Sequence, residues 1–301
     1  MIKLLDKLFM KQWNIAIGRY NMDDFIKYGF KNTTFKWYPV CKVNELHADP
    51  FLLKNPNGQY HILFEKLCKY KGYGQIHVKT LNENFDILST KVLLEFSNHL
   101  SYPSIFIDES KTYIIPESSE DGNLYAYEFD FENISLKNKF TLINDKPLLD
   151  TTFLKHDGRY WLFSTQRGPD SNKNLFIHYS ENFNGPYKAH KLNPLKNNPY
   201  GSRPAGNIIK HNDHFYRPTQ NCTHYYGSSI VINKLITLNE EEFEEEFSFE
   251  IKPEQICTKI KGIHTINFNE DLVVIDGLFK IFTPFNQFKI YLNKYFKRVF
   301  I

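Results

Sequence analysis

Hydrophobic residues along the chain alternate with polar ones in short runs, and the runs come in pairs joined by tight turns. Within residues 150–165 an apolar stretch at Phe153 and Leu154 leads to a turn at Asp157-Gly158. A second stretch, Tyr160 to Phe163, follows it. Period-two alternation on either side of an Asp-Gly or Asn-Gly pair predicts a β-hairpin. The same arrangement recurs over residues 49–65, 102–117, 203–220 and 264–276, with turns at Asn57-Gly58 and Asn212-Asp213. The first residues of successive copies are spaced 53, 48, 53 and 61 apart. A hairpin every ~50 residues, with room for two more strands before the next, is the repeat of a propeller blade. Five copies predict an all-β, five-bladed β-propeller.

A single blade cannot bury both faces of its sheet, so each must stack on its neighbours and the ring must close. Closure brings the first residues of the copies, Asp49, Tyr102, Asp150, Arg203 and His264, to one mouth of the central channel. The chain is expected to divide into an N-terminal arm and closing strand (1–45), the propeller (46–280) and a tail (281–301). The arm reads as a short helix followed by strand, with residues 13–18 a sheet segment that could close the last blade. Gly74 to Lys79, Leu124 to Phe129, Leu175 to Tyr179 and Gly227 to Asn233 supply third strands. The acidic run from Asn239 to Phe247 reads as a solvated outer strand or loop. From Pro284, apolar residues recur at three- and four-residue steps among Lys289, Lys294, Lys297 and Arg298. That predicts a basic amphipathic C-terminal helix. It either packs on the propeller or docks on an anionic membrane face.

Composition narrows the function. Aromatics are 16% of residues, suited to half-buried sheet surfaces and to stacking on sugar faces, and the net charge is +3. The basic residues are dispersed, which argues against nucleic acid. The four cysteines lack the spacing of a zinc site or a disulfide framework, and free thiols fit a reducing compartment. No export signal or membrane span is evident, so a cytoplasmic location is expected, with the tail offering peripheral attachment to the inner face of the membrane.

Three carboxylates are the catalytic candidates: Asp49 and Asp150 at the starts of blades one and three, and Glu117 at the end of the second strand of blade two. Acids on separate blades can flank a glycosidic bond. Asp49 and Asp150 could equally cap strand-entry turns. In blade four Arg203, Arg217, Gln220, Asn221, His224 and Tyr226 cluster. Arg203 and Arg217 lie one hairpin apart and could clamp an anionic group such as a phosphate, or neutralise the acids. In blade five His264 and Asp276 could form a general base or a structural hydrogen bond. No ligand spacing demands a metal, and no cofactor is implied.

The segments His47-Ala-Asp-Pro-Phe51, His99-Leu-Ser-Tyr-Pro103, Pro116-Glu-Ser118, Leu149-Asp-Thr-Thr-Phe153, Arg203-Pro-Ala-Gly206, Arg217-Pro-Thr-Gln-Asn221, Tyr226-Gly227 and Ile275-Asp-Gly277 occur in that order. Together they resemble the N-terminal domain of plant glucosamine inositolphosphorylceramide transferases and its stand-alone bacterial relatives. That domain is similar in turn to the five-bladed propellers of arabinanases, β-xylosidases and invertases. The resemblance implies a carbohydrate-active propeller with Asp49 in the place of the first catalytic Asp of those hydrolases, whereas Tyr102 stands where many carry their second. In the plant proteins a separate glycosyltransferase domain follows. The expected function is a glycosyltransferase of surface polysaccharide or glycolipid assembly, with a sugar donor and a glycan or glycolipid acceptor as partners. The alternatives are a glycoside hydrolase and a non-catalytic glycan-binding propeller. The roles expected are Asp49 as base or nucleophile, Glu117 or Asp150 as acid or its partner, and Arg203 with Arg217 on a phosphate. Tyr102, Gln220, Tyr226, His264 and Asp276 would contact substrate.

Overall fold

The computed structural model describes residues 9–55 and 57–283. The described residues begin with β1 (Phe9–Arg19), a helix α1 (Met22–Tyr28) and β2 (Phe35–Tyr38). Blade one is β3 (Glu45–Lys54), β4 (Tyr60–Cys68), β5 (Gly74–Leu81) and β6 (Ile87–Leu94). Blade two is β7 (Ser101–Asp108), β8 (Lys111–Glu117), β9 (Leu124–Asp130) and β10 (Ser135–Ile143). Blade three has β11 (Leu148–His156), β12 (Arg159–Gln166) and β13 (Asn174–Ser180), edged by the short β14 (Lys188–Ala189) and β15 (Lys196–Asn197). In blade four β16 (Tyr200–Pro204) and β17 (Ile209–His211) share the inner position, followed by β18 (His214–Asn221), β19 (Ser229–Leu238) and β20 (Phe243–Ile251). Blade five joins both ends of the described chain. β21 (Ile266–Asn269) and β22 (Leu272–Phe282) are its inner strands, and β1 pairs antiparallel with β22 from Phe9↔Phe282 to Arg19↔Leu272, with β2 outside it.

Burial explains why the sheets form a ring. Five apolar clusters fill the five gaps between blades. Ile15, Ile17 and Val274 of blade five meet Leu52, Ile62 and Leu81 of blade one, and Phe51, Leu63 and Val78 meet Ile105, Ile114 and Phe129 of blade two. Phe106 and Ile115 meet Phe153 and Leu162 of blade three, and Trp161 and Phe163 meet Leu235 of blade four. Ile230 and Ile232 meet Val273 and Ile275, which completes the circuit. Each large apolar side chain so covered contributes roughly 1.5–3 kcal/mol. An open sheet would leave two of these faces wet.

Two of the predicted turns, Asp157-Gly158 and Asn212-Asp213, have positive φ at both central residues, the type I′ geometry that matches strand twist. The acidic run forms the solvated outer strand β20, with Glu245 turned inward. The expected sheet segment 13–18 lies within β1 and closes blade five, the short helix expected ahead of it falls mostly on residues 1–8, outside the described residues, and a helix not foreseen, α1, follows β1. Asn21 caps α1 by accepting from the Asp24 N–H, and α1 sinks Phe25 among Phe30, Phe249 and Phe268. The basic helix expected from Pro284 onward lies outside the described residues. None of the described helices is long and apolar enough to cross a membrane.

One backbone device recurs. Asp49, Tyr102 and Asp150 have φ of 50°, 42° and 48°, and each sits at a break in register between the first and second strands of its blade: Ala48/Phe51, Ser101/Ser104 and Leu149/Thr152. Such a bulge takes a residue out of the ladder and leaves its N–H needing an acceptor. A non-glycine residue in this region costs about 1–3 kcal/mol, so the surroundings must hold it there.

Candidate active site

The acceptors for those three N–H groups are carboxylates at the channel mouth. Asp49 N–H donates to Asp276 Oδ2 at 3.2 Å, Tyr102 N–H to Asp49 Oδ2 at 3.2 Å and Asp150 N–H to Glu117 Oε2 at 3.3 Å. Each bond crosses from one blade to its neighbour. The acids therefore latch the ring as well as line it.

Two groups of charged residues result. In the first, Asp49 Oδ1 accepts from the Thr265 hydroxyl at 2.6 Å and lies 3.1 Å from His264 Nε2. His264 Nδ1 lies 2.8 Å from Asp276 Oδ2, placed as an ion contact more than as a directed hydrogen bond, and Asp276 Oδ1 accepts from the N–H groups of His264 and Thr265. Burial alone would lower the His264 pKa, but the carboxylates of Asp276 and Asp49 outweigh it and hold the imidazole protonated, well above its usual range. Burial likewise opposes charge on Asp49, yet His264, Thr265 and the Tyr102 N–H keep its pKa below the ordinary value. Asp49, His264 and Asp276 have the donor set and proximity of a cation site. Their oxygens, however, already accept from backbone N–H groups and from a cationic ring, so the charges balance internally.

In the second group, Asp150 Oδ2 accepts from Arg203 Nε at 2.6 Å and from Gln220 Nε2 at 2.9 Å, and Glu117 hydrogen-bonds the Asp150 carboxyl. Glu117 Oε1 also accepts from Ser119 Oγ at 2.9 Å. Burial, then the neighbouring Asp150 charge, push the Glu117 pKa up to about 8. Arg203 extends to Asn172 Oδ1 at 3.1 Å and lies over the Tyr226 ring at 4.9 Å, and Tyr226 packs on His264 at 5.1 Å. Tyr226 is 38% exposed, so it forms part of the rim.

Sequence reasoning missed Glu65. It lies in the second strand of blade one, opposite Ala48, as Glu117 lies in that of blade two, opposite Ser101, each facing the residue that precedes the register break. That equivalence was readable in the repeat. Burial, then Asp49, raise its pKa well above the carboxylate range, and its nearest basic neighbour is His99, 3.6 Å away. The strand beside it must be bare: a Cβ on Gly74 would lie 2.5 Å from Glu65 Oε1 and from the Leu100 carbonyl. Arg167, just beyond the blade-three hairpin, is also at the rim, with Nη1 3.4 Å from Ser119 Oγ and Nη2 2.9 Å from Glu120 Oε1.

Two expected substrate contacts are placed elsewhere. Arg217 does not join Arg203 in a clamp. It is fully buried, forks onto Glu245 at 2.8 and 2.6 Å and donates to the carbonyls of Ser202 and Gly201. A guanidinium enclosed in this way is a brace between strands. Tyr102 is also fully buried. Its hydroxyl, 2.8 Å from Thr152 Oγ1, accepts from Gly206 N–H at 2.6 Å, so it ties blades two, three and four together below the mouth. Asp49, Glu117, Asp150, Arg203, Gln220, Tyr226, His264 and Asp276 do converge. Sequence had no means to show that Tyr102 turns down the channel or that Glu245 waits for Arg217.

Five stacked blades, the last closed by β1, define a five-bladed β-propeller with charged residues gathered at one mouth. The fold is like that of an exo-β-1,3-galactanase from Clostridium thermocellum, with a TM-score of 0.55 over 81% of this chain and 64% of the other. At 11% identity that likeness concerns the fold alone. Residues 38–268 match the family described as glucosamine inositolphosphorylceramide transferase 1, N-terminal, and the chain belongs to that family. It is similar to glucosamine inositolphosphorylceramide transferase 1 of Oryza sativa subsp. indica, at 31% identity over 66% of the chain, and to that of Arabidopsis thaliana at 32% over 66%. The matched region spans only 27% and 26% of those plant proteins.

Proposed function

We propose that this protein is a carbohydrate-active enzyme that moves a glycosyl unit onto a glycan or glycolipid acceptor at the propeller mouth. The observation that carries the reading is the unequal pairing of carboxyls. Glu117 holds its proton to about pH 8 beside an Asp150 carboxylate fixed by Arg203 and Gln220. A carboxyl protonated near neutral pH can give its proton to a leaving oxygen and then, as a carboxylate, take one from the acceptor hydroxyl, which restores it and is the task of a general acid–base group. Glu117 fills that role better than Asp49. Asp49 accepts from three donors and is held ionised, which suits a fixed negative charge facing a developing oxocarbenium ion. Arg203 and the rim Arg167 are the cations that could meet an anionic donor group.

The family's plant members support transfer through the activity in their name. Hydrolysis is the second reading, favoured by the fold likeness to the galactanase. Incubation with nucleotide sugars and lipid-linked glycan acceptors, read by mass spectrometry of the acceptor, tests transfer. Release of reducing sugar from aryl glycosides without any activated donor would replace it with hydrolysis. A membrane-peripheral location at the inner face belongs to the same proposal and is tested by fractionation of cell extracts.

A further inference from the structure

Outside the mouth, a cavity of about 640 Å³ lies between blade four and the segment leading into blade five, over residues 252–261. Its centre of polarity is Glu250. One oxygen, Oε1, accepts from Asn221 Nδ2 at 3.0 Å and from Ser229 Oγ at 2.5 Å, while Oε2 has, among the described residues, the Tyr200 hydroxyl at 3.5 Å. Asn221 and Ser229 are themselves 7% and 4% exposed, so the carboxylate is held by a buried frame with one oxygen left to accept from a ligand. On the other wall Tyr225 is 44% exposed yet fixed, since its hydroxyl donates to the Lys261 carbonyl at 2.6 Å. A rigid aromatic face opposite a positioned acceptor suits a ring that carries both C–H and O–H groups.

The charges bear on the choice between sugar and anion. Two acids, Glu250 and Glu254, offset two bases, Lys252 and Lys261, along the cavity wall beside His224, and Lys11 Nζ lies 5.7 Å from the Tyr225 ring centroid, so the charges do not single out a phosphate. Its position decides the rest. Tyr225 and Tyr226 are consecutive, yet Tyr226 faces the mouth against His264 while Tyr225 lines the cavity. A single loop separates the two sites.

We propose that this cavity is a second carbohydrate subsite, which holds a neutral unit of an extended glycan whose reacting end lies in the mouth. The proposal rests on the mouth being a sugar site. Titration calorimetry with neutral galacto-oligosaccharides and N-acetylglucosamine oligomers of one to six units tests it. The native protein should bind longer oligomers more tightly, and Tyr225→Ala or Glu250→Gln should each remove about tenfold of that gain while monosaccharide affinity stays unchanged. Length dependence equal to native in both variants would overturn the subsite and leave the mouth reading intact. Loss of the gain in Tyr225→Ala, together with full turnover by Glu117→Gln, would remove Glu117 from the mechanism and leave the subsite standing. No binding of any oligomer by the native protein would overturn both.

Discussion

The backbone N–H of Asp150 donates to Glu117 Oε2 across the gap between blades two and three, and Glu117 in turn hydrogen-bonds the Asp150 carboxyl. The acid proposed to move protons is thus part of the joint that sets its own surroundings. Glu117→Gln retains an oxygen for the Asp150 N–H but cannot exchange a proton. Turnover should fall roughly 10²- to 10⁴-fold with little change in melting temperature. Full activity in this variant would remove Glu117 from the mechanism.

Stability should depend on pH with a sign set by the same cup. Glu117 and Glu65 have raised pKa values, so their contribution is complete below about 4.5 and is lost as pH rises, for Glu117 through about 8. His264, also raised, adds to the loss as pH climbs from its ordinary value of 6.5 toward its higher folded value. Asp49, lowered from 3.8, acts at the other end, where its contribution disappears as pH falls. Calorimetric melting between pH 5 and 8.5 should show a decline that is shallower in Glu117→Gln. Parallel curves for the two proteins would contradict the assignment.

Arg217 and Glu245 should behave as a structural pair. Arg217→Met leaves a buried Glu245 with, among the described residues, Lys196 Nζ 2.6 Å away as its remaining cation, and should cost about 3–5 kcal/mol in denaturant unfolding. Replacing both by apolar residues should recover most of that loss. A variant that keeps its stability but loses donor affinity would restore Arg217 to the phosphate clamp.

Tyr102→Phe should leave the Gly206 N–H buried without an acceptor, at about 1–3 kcal/mol, while turnover per folded molecule stays near native. Chemical denaturation and steady-state rates measure the two effects separately. A large rate loss at native stability would return Tyr102 to the reacting centre.

The hairpin period and the turn pairs made the ring legible, because a blade's alternation and its turns are local properties. Convergence of Asp49, Asp150, Arg203 and His264 followed from their equivalent places in the repeat. Glu65 was visible by the same logic. The fates of Arg217 and Tyr102 depended on partners in other strands, Glu245 28 positions away and Gly206 104 positions away. Nor does alternation reveal a left-handed φ at Asp49, Tyr102 and Asp150, since bulges are set by what receives the freed N–H. The helix α1 was not foreseen because its cap, Asn21, and its single buried Phe25 are weak marks beside the strands around them.

Because β1 lies between β22 and β2, blade five needs residues from both ends of the described chain. A polypeptide emerging from the ribosome could complete blades one to four in order, while β1, paired on one side with β2, had to wait for β22 to be synthesised. Until then the nascent propeller would expose an open side and the bare edge of β1. Slow translation of the last segment would therefore prolong the interval in which neighbouring chains could exchange that strand.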